Sequence, residues 1–327
     1  MDTGLATGTG MAHGGRLRAA QALHPGAPLP WIDLSTGINP VPYPVPTLPA
    51  TAWSRLPEPE DVLSLEAAAA AAYGVDDPAM VVAAPGTQAL IGLLPYLAPQ
   101  RRISVLGPTY AEHAAAWAAA GADVTAVEDP GALAGAPAVV LCNPNNPDGR
   151  RICTADLLTL SARTGLLVVD EAFMDFEGPG LAPVLPGNAV VLRSFGKTYG
   201  LAGLRLGFAV ALPGLAARLR VALGPWAVNG PAVAIATAAL HDRAWLERAR
   251  ARLDTDGGRL DALLGGSGIT IVGGTRLFRL ARSPDAPAIA RRLSGAGILV
   301  RPFADRPDWL RFGIPAGGWD RLSAALA

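Results

Sequence analysis

The stretch Ser194–Phe208, SFGKTYGLAGLRLGF, sets a lysine, Lys197, three residues after a serine and eight before an arginine, Arg205; it is the only lysine in the chain. A lysine amine held among small and apolar neighbours can add to a carbonyl and keep it as a Schiff base. Three other stretches carry complementary groups. Pro85-Gly86-Thr87-Gln88 follows the apolar run VVAA and sets a glycine and a hydroxyl where a helix opens, so that free N–H groups and the helix dipole suit a phosphate. Cys142–Pro147, CNPNNP, follows PAVVL and presents amides, Asn146 among them, on a rigid loop. Asp170-Glu171-Ala172-Phe173 follows LLVV, and a carboxylate leaving a buried strand needs a partner, either an arginine or a protonated ring nitrogen. Each stretch alone is better explained by capping, turn chemistry or an ion pair. Together they are the set pyridoxal phosphate requires: an imine-forming lysine, a carboxylate for the pyridinium, a phosphate cradle and an amide.

Such groups must be delivered to one place, and in open α/β sheets that place lies outside the carboxyl ends of the strands. The pattern from residue 61 onward supplies strand and helix in alternation. Helices are expected over 61–73, after 87 and over 110–120, with strands at 102–106, 123–127, 137–141, 166–169, 189–192 and 205–210. Short apolar runs separated by helices predict a mostly parallel sheet buried on both faces. Beyond Pro225 a long helical region over 230–264 leads to short strands near 276–280, 298–300 and 309–312 and helices at 286–295 and the end. The expected division is therefore an N-terminal arm over 1–45 that shares in the small domain, a large α/β domain over 46–225, and a smaller α+β domain over 226–327. The proline-dense segment 25–59 predicts an extended arm.

The 27 basic and 27 acidic side chains cancel, and no basic run tracks nucleic acid. The two cysteines, Cys142 and Cys153, have neither metal-type spacing nor histidine partners in sequence, so no metal site is expected and a reducing cytoplasm fits. The opening MDTGLATGTGMAHGG lacks the cationic start and apolar core of a leader, and no apolar stretch reaches membrane-spanning length.

The motifs PGTQ, PTY, NPNNP, DEAF, SFGK and GLRLG, in that order, resemble those of the fold-type I pyridoxal-phosphate enzymes of the class I/II aminotransferase group, and the resemblance runs from residue 12 to about 325. It implies Lys197 as the Schiff-base lysine, Asp170 as partner of the ring nitrogen, Asn146 on the ring hydroxyl and Tyr110 stacked on the ring. Gly86, Thr87, Ser194 and Arg205 would hold the cofactor phosphate, with Gln88 beside them. Within the group the chain is similar to two subfamilies acting on phosphorylated amino compounds, histidinol-phosphate aminotransferases and the threonine-phosphate decarboxylases of cobalamin synthesis. Ala12–Gly15, Ile32–Pro40, DEAF in place of DEAY, and Pro225–Asn229 resemble the decarboxylases. That likeness implies loss of carbon dioxide from L-threonine O-3-phosphate; the alternative is amino transfer to 2-oxoglutarate. A regulator retaining the fold as a sensor fits less well, because Lys197 and Asp170 are both kept.

By the same resemblance Arg311 would meet a substrate carboxylate and Arg301 a distal phosphate, since the guanidinium fork matches both anions. His13, Gly14, Asn39 and Asn146 would complete the substrate site. A homodimer is implied, with Tyr43 a candidate to reach the neighbouring cofactor. There are two departures from the family pattern. Phe173 stands where many members carry tyrosine, removing one hydrogen bond to the ring hydroxyl, and Asp148 brings a negative charge to the loop where threonine is usual.

Overall fold

The structure is a computed structural model that describes residues 14–327. Along the chain run α1 (Leu17–Leu23), β1 (Ile32–Asp33), α2 (Thr51–Ser54), α3 (Pro59–Tyr73), β2 (Val81–Ala84), α4 (Thr87–Leu97), β3 (Arg102–Leu106), α5 (Glu112–Ala119) and β4 (Asp123–Val127). There follow β5 (Ala138–Cys142), α6 (Thr154–Ser161), β6 (Leu166–Asp170), β7 (Ala189–Ser194), α7 (Phe195–Thr198), β8 (Gly207–Val210), α8 (Pro213–Leu223) and α9 (Gly230–His241). The remainder is α10 (Arg243–Gly266), β9 (Thr270–Thr275), β10 (Phe278–Arg282), α11 (Ala286–Gly295), β11 (Ile298–Leu299), β12 (Arg301–Pro302), β13 (Trp309–Gly313) and α12 (Trp319–Leu326).

Two compact units form. The larger, Val41–Ala251, holds a seven-stranded sheet of order β2-β8-β7-β6-β5-β3-β4. All its strands are parallel except β8, which pairs antiparallel with both neighbours, in agreement with the mostly parallel sheet expected. Every residue of β5, β6 and β7 is buried, as strands covered on both faces must be. The core on one face joins Val82, Leu90, Leu94, Val105, Trp117, Val140, Val168 and Leu192. The Ala-rich α3 opens on Pro59 with Glu60 and Asp61 in its first turn, closes on left-handed Gly74 (φ 69°), and packs on α9. The larger unit thus runs on through α9 and into the start of α10, whereas the sequence reading divided the chain at 225. The helical stretch expected over 230–264 is two helices, broken at Asp242.

The smaller unit joins the described residues up to Pro40 with Arg252–Ala327. Its four-stranded antiparallel sheet has the order β12-β13-β10-β9, and β1 pairs in parallel with β11, which is how the N-terminal segment enters this unit. α8 and β9 have no counterpart in the sequence reading; β9 is TIVGGT, whose two glycines and weak burial alternation leave little strand signal.

Candidate active site

In the larger unit the motif-bearing loops leave one edge of the sheet. The carboxyl ends of β2, β3, β5, β6 and β7 lie there, and antiparallel β8 begins there. Gly207, the first residue of β8, pairs on one side with Ala84 and on the other with Ser194. A Cβ at Gly207 would lie 2.6 Å from the Thr87 nitrogen, so only glycine lets the start of α4 approach β7. Gly86, at φ 86°, precedes α4, and a Cβ on it would lie 2.8 Å from Arg205 Nη2. The Arg205 guanidinium therefore lies over the glycine that opens the helix. Gly86, Thr87, Ser194 and Arg205 are thus assembled through β8, and free helix N–H groups beside a guanidinium fit a phosphate. Arg205 sits in left-handed backbone (φ 54°) just before the strand, not within it.

Asp170 ends β6 in register with Cys142. Its Oδ1 accepts from Ala172 N (3.0 Å), and its Oδ2 lies 2.9 Å from His113 Nε2. Burial alone would lower the His113 pKa, but hydrogen bonds to Asp170 and Cys142 outweigh it and bring the pKa up to about 10. Burial alone would raise that of Asp170; the His113 hydrogen bond and charge, then Lys197, hold it below its ordinary 3.8. The carboxylate is therefore held ionised, the state in which it can pair with a protonated ring nitrogen. His113, Cys142 and Asp170 place donor atoms within 4.8 Å of one another, an arrangement explained by this ion pair.

Lys197 sits in α7, where Phe195, Gly196 and Thr198 are buried and the lysine is half-buried. Its Nζ lies over the Phe173 ring, 5.1 Å from the centroid, so the phenylalanine that replaces the family tyrosine offers a π-face to the amine. Tyr110 donates to Gln88 Oε1 (3.1 Å) and meets the His113 ring edge-on. Asn146 is half-buried in the loop after β5. Asp148 now has a role: its Oδ1 accepts from Asn145 Nδ2 (2.8 Å) and Arg150 N (2.9 Å), tightening the loop that carries Asn146. These groups fit the phosphate, ring nitrogen and aldehyde of pyridoxal phosphate one by one.

In the smaller unit, Arg301 and Arg311 are direct partners across β12 and β13. Burial first, then the Arg301 charge, pull the Arg311 pKa down to about 9, against Asp33. Arg311 Nη2 donates to Ser35 O (2.9 Å), and a Cβ on Gly14 would collide with that same oxygen. Gly14 is thus a point of close backbone approach, and Ser35 is further fixed by bonds to Gly15 N and Asp33. Asn39, buried, accepts from Arg252 Nη2 (2.7 Å). His13 lies outside the described residues. Tyr43 packs edge-on against Tyr199 and Trp245 of its own chain and is 9% exposed.

Two groups escaped sequence reasoning. His113 lies one helical turn after Tyr110, a spacing that could have flagged a shared face. Arg193, immediately before Ser194, reads as a surface arginine but is 2% exposed. It forms ion pairs with Glu171 Oε2 (2.9 Å) and Asp175 Oδ1 (2.8 Å) and lies over the Tyr73 ring. Burial pushes the Glu171 carboxyl pKa up, against the pull of Arg193.

Comparison with known proteins matches residues 47–326 to the family model described as aminotransferase class I and II. A threonine-phosphate decarboxylase from Sinorhizobium sp is 45% identical over 97% of this chain and 98% of its own. One from Pseudomonas aeruginosa is 43% identical over 97% of each chain. Among solved structures, histidinol-phosphate aminotransferase from Sinorhizobium meliloti in complex with pyridoxal-5'-phosphate superposes with a TM-score of 0.82, at 24% identity over 94% of this chain and 93% of that one, a likeness of fold. With the family model matched over residues 47–326 and two relatives above 40% identity along nearly the whole chain, the chain belongs to the class I and II aminotransferase family.

Proposed function

We propose that the chain decarboxylates L-threonine O-3-phosphate with pyridoxal phosphate as cofactor, giving (R)-1-amino-2-propanol O-2-phosphate for cobalamin synthesis. The observation that carries this reading is the full-length likeness to two threonine-phosphate decarboxylases. The register that sets Arg301 opposite Arg311 supports it, because two neighbouring positive charges suit an anionic substrate.

Bound here, pyridoxal phosphate supplies an electron sink for the bond broken at the substrate's α-carbon. Lys197 would hold the cofactor through its amine, and its Nζ would be the group to carry a proton. Asp170, kept ionised by His113, would hold the proton of the ring nitrogen. Asn146 would meet the ring hydroxyl, Tyr110 would cover the ring, and Thr87, Ser194 and Arg205 would hold the phosphate, with Gly86 leaving the space. By the resemblance, Arg301 and Arg311 would take the substrate's anionic groups. A tight grip on the carboxylate would stabilise the ground state, so the phosphate contacts fix the pose and the carboxylate is held loosely. By the same resemblance the enzyme acts in the cytoplasm as a homodimer.

The test is to incubate the purified holoenzyme with L-threonine O-3-phosphate, without any keto acid, and measure carbon dioxide beside a Lys197→Ala variant. Release by the wild type alone is expected. No release, with turnover of histidinol phosphate once 2-oxoglutarate is added, would move the chain to the aminotransferases.

A further inference from the structure

The turn that carries Lys197 cannot hold itself in place. α7 is four residues long, and a single turn leaves most of its backbone groups without helical partners. Packing fixes one side: Phe195 stacks on Tyr199 at 4.3 Å and 13°, and a Cβ on Gly196 would lie 2.8 Å from Ala202 Cα. On the polar side Thr198 Oγ1 donates to Asp175 Oδ2 at 2.7 Å. Asp175 is held in turn, because Arg193 Nη1 donates to its other oxygen at 2.8 Å. Arg193 is anchored by Pro179 O (2.6 Å) and by its ion pair with Glu171, the residue after Asp170. One buried guanidinium thus links the loop behind the ring-nitrogen carboxylate to the residue behind the lysine.

We propose that Asp175 and Thr198 are positioning residues: the chain Arg193–Asp175–Thr198 sets the direction in which Lys197 leaves α7, and so the aldehyde affinity of the site, without touching cofactor or substrate. The inference rests on reading Lys197 as the cofactor lysine. Thr198→Val removes the hydroxyl and keeps the shape, while Arg193 still neutralises Asp175. Thr198→Ser returns the hydroxyl.

The experiment uses cofactor-free full-length protein and two probes, pyridoxal phosphate and inorganic phosphate, followed by absorbance and calorimetry. The expected result is that Thr198→Val binds pyridoxal phosphate about five- to tenfold more weakly, the worth of one hydrogen bond. It should bind inorganic phosphate as the wild type does, and Thr198→Ser should restore the first affinity. Asp175→Asn, which leaves an acceptor but no charge, should weaken pyridoxal phosphate in the same selective way. The pH midpoint of the bound cofactor's visible absorbance should move in Thr198→Val and return in Thr198→Ser. Equal loss for both probes would mean a merely structural role, and unchanged affinity for both would mean no role; either overturns the proposal. Failure of the underlying reading looks different. Borohydride reduction of the wild-type mixture would then leave Lys197, the only lysine, unlabelled.

Discussion

At the scale of residues, the least expected feature is the charge state of His113. A buried imidazole ordinarily sheds its proton, yet Asp170 at 2.9 Å and the nearby Cys142 keep this one protonated. The linkage has a definite sign. The pKa of His113 is raised from 6.5 to about 10, so its stabilisation is complete below about 6.5 and is lost as pH climbs toward 10. That of Asp170 is lowered from 3.8, so its share is present above that value and is lost in acid. His113→Gln should therefore lower the stability of the cofactor-free protein most between about pH 4 and 6.5, by roughly 3–5 kcal/mol for a broken buried pair. The deficit should shrink as the pH approaches 10. Urea titrations across that range check it, and a deficit independent of pH would mean that no charge is involved. Asp148 shows the converse: a charge that departs from the family pattern closes its own loop.

At the scale of elements, glycine and register carry the site. β8 runs against its neighbours, so its first residue stands between the ends of β2 and β7, and Gly207 lets three loops converge there. The PGTQ, SFGK and GLRLG motifs were legible in sequence, but their meeting through one strand was not, because strand order leaves no local trace. The pairing of β12 with β13 likewise sets Arg301 opposite Arg311. Like charges directly opposite destabilise a sheet. Arg301→Gln should therefore raise the melting temperature of the substrate-free protein by roughly a degree or two. The same change should raise KM for L-threonine O-3-phosphate by about tenfold or more, the worth of a charge-assisted hydrogen bond. Calorimetry and steady-state kinetics give both numbers. A lower melting temperature with unchanged KM would make the arginine structural.

At the scale of the whole molecule, the expected assembly is a pair. The larger unit leaves Trp53, Leu56 and Trp226 at 71%, 60% and 58% exposure around a groove of about 390 Å³, and Trp226 holds a left-handed backbone (φ 56°) to do so. Light scattering should give twice 33.5 kDa, and Trp226→Ser should weaken the dimer. A fully active species of monomer mass would end that expectation. The sequence by itself determined the chemistry: the single lysine, the aspartate after LLVV, the glycine-hydroxyl turn and the strand-helix alternation are local signals set by side-chain type and period. Only the tertiary structure decided which groups support them. His113 reaches Asp170 across 57 positions, and Arg193 binds Asp175 across 18; Tyr43 turns inward to Tyr199. Those partners are chosen by burial, which makes an unpaired charge or hydroxyl too costly to leave, and burial is a property of the folded chain.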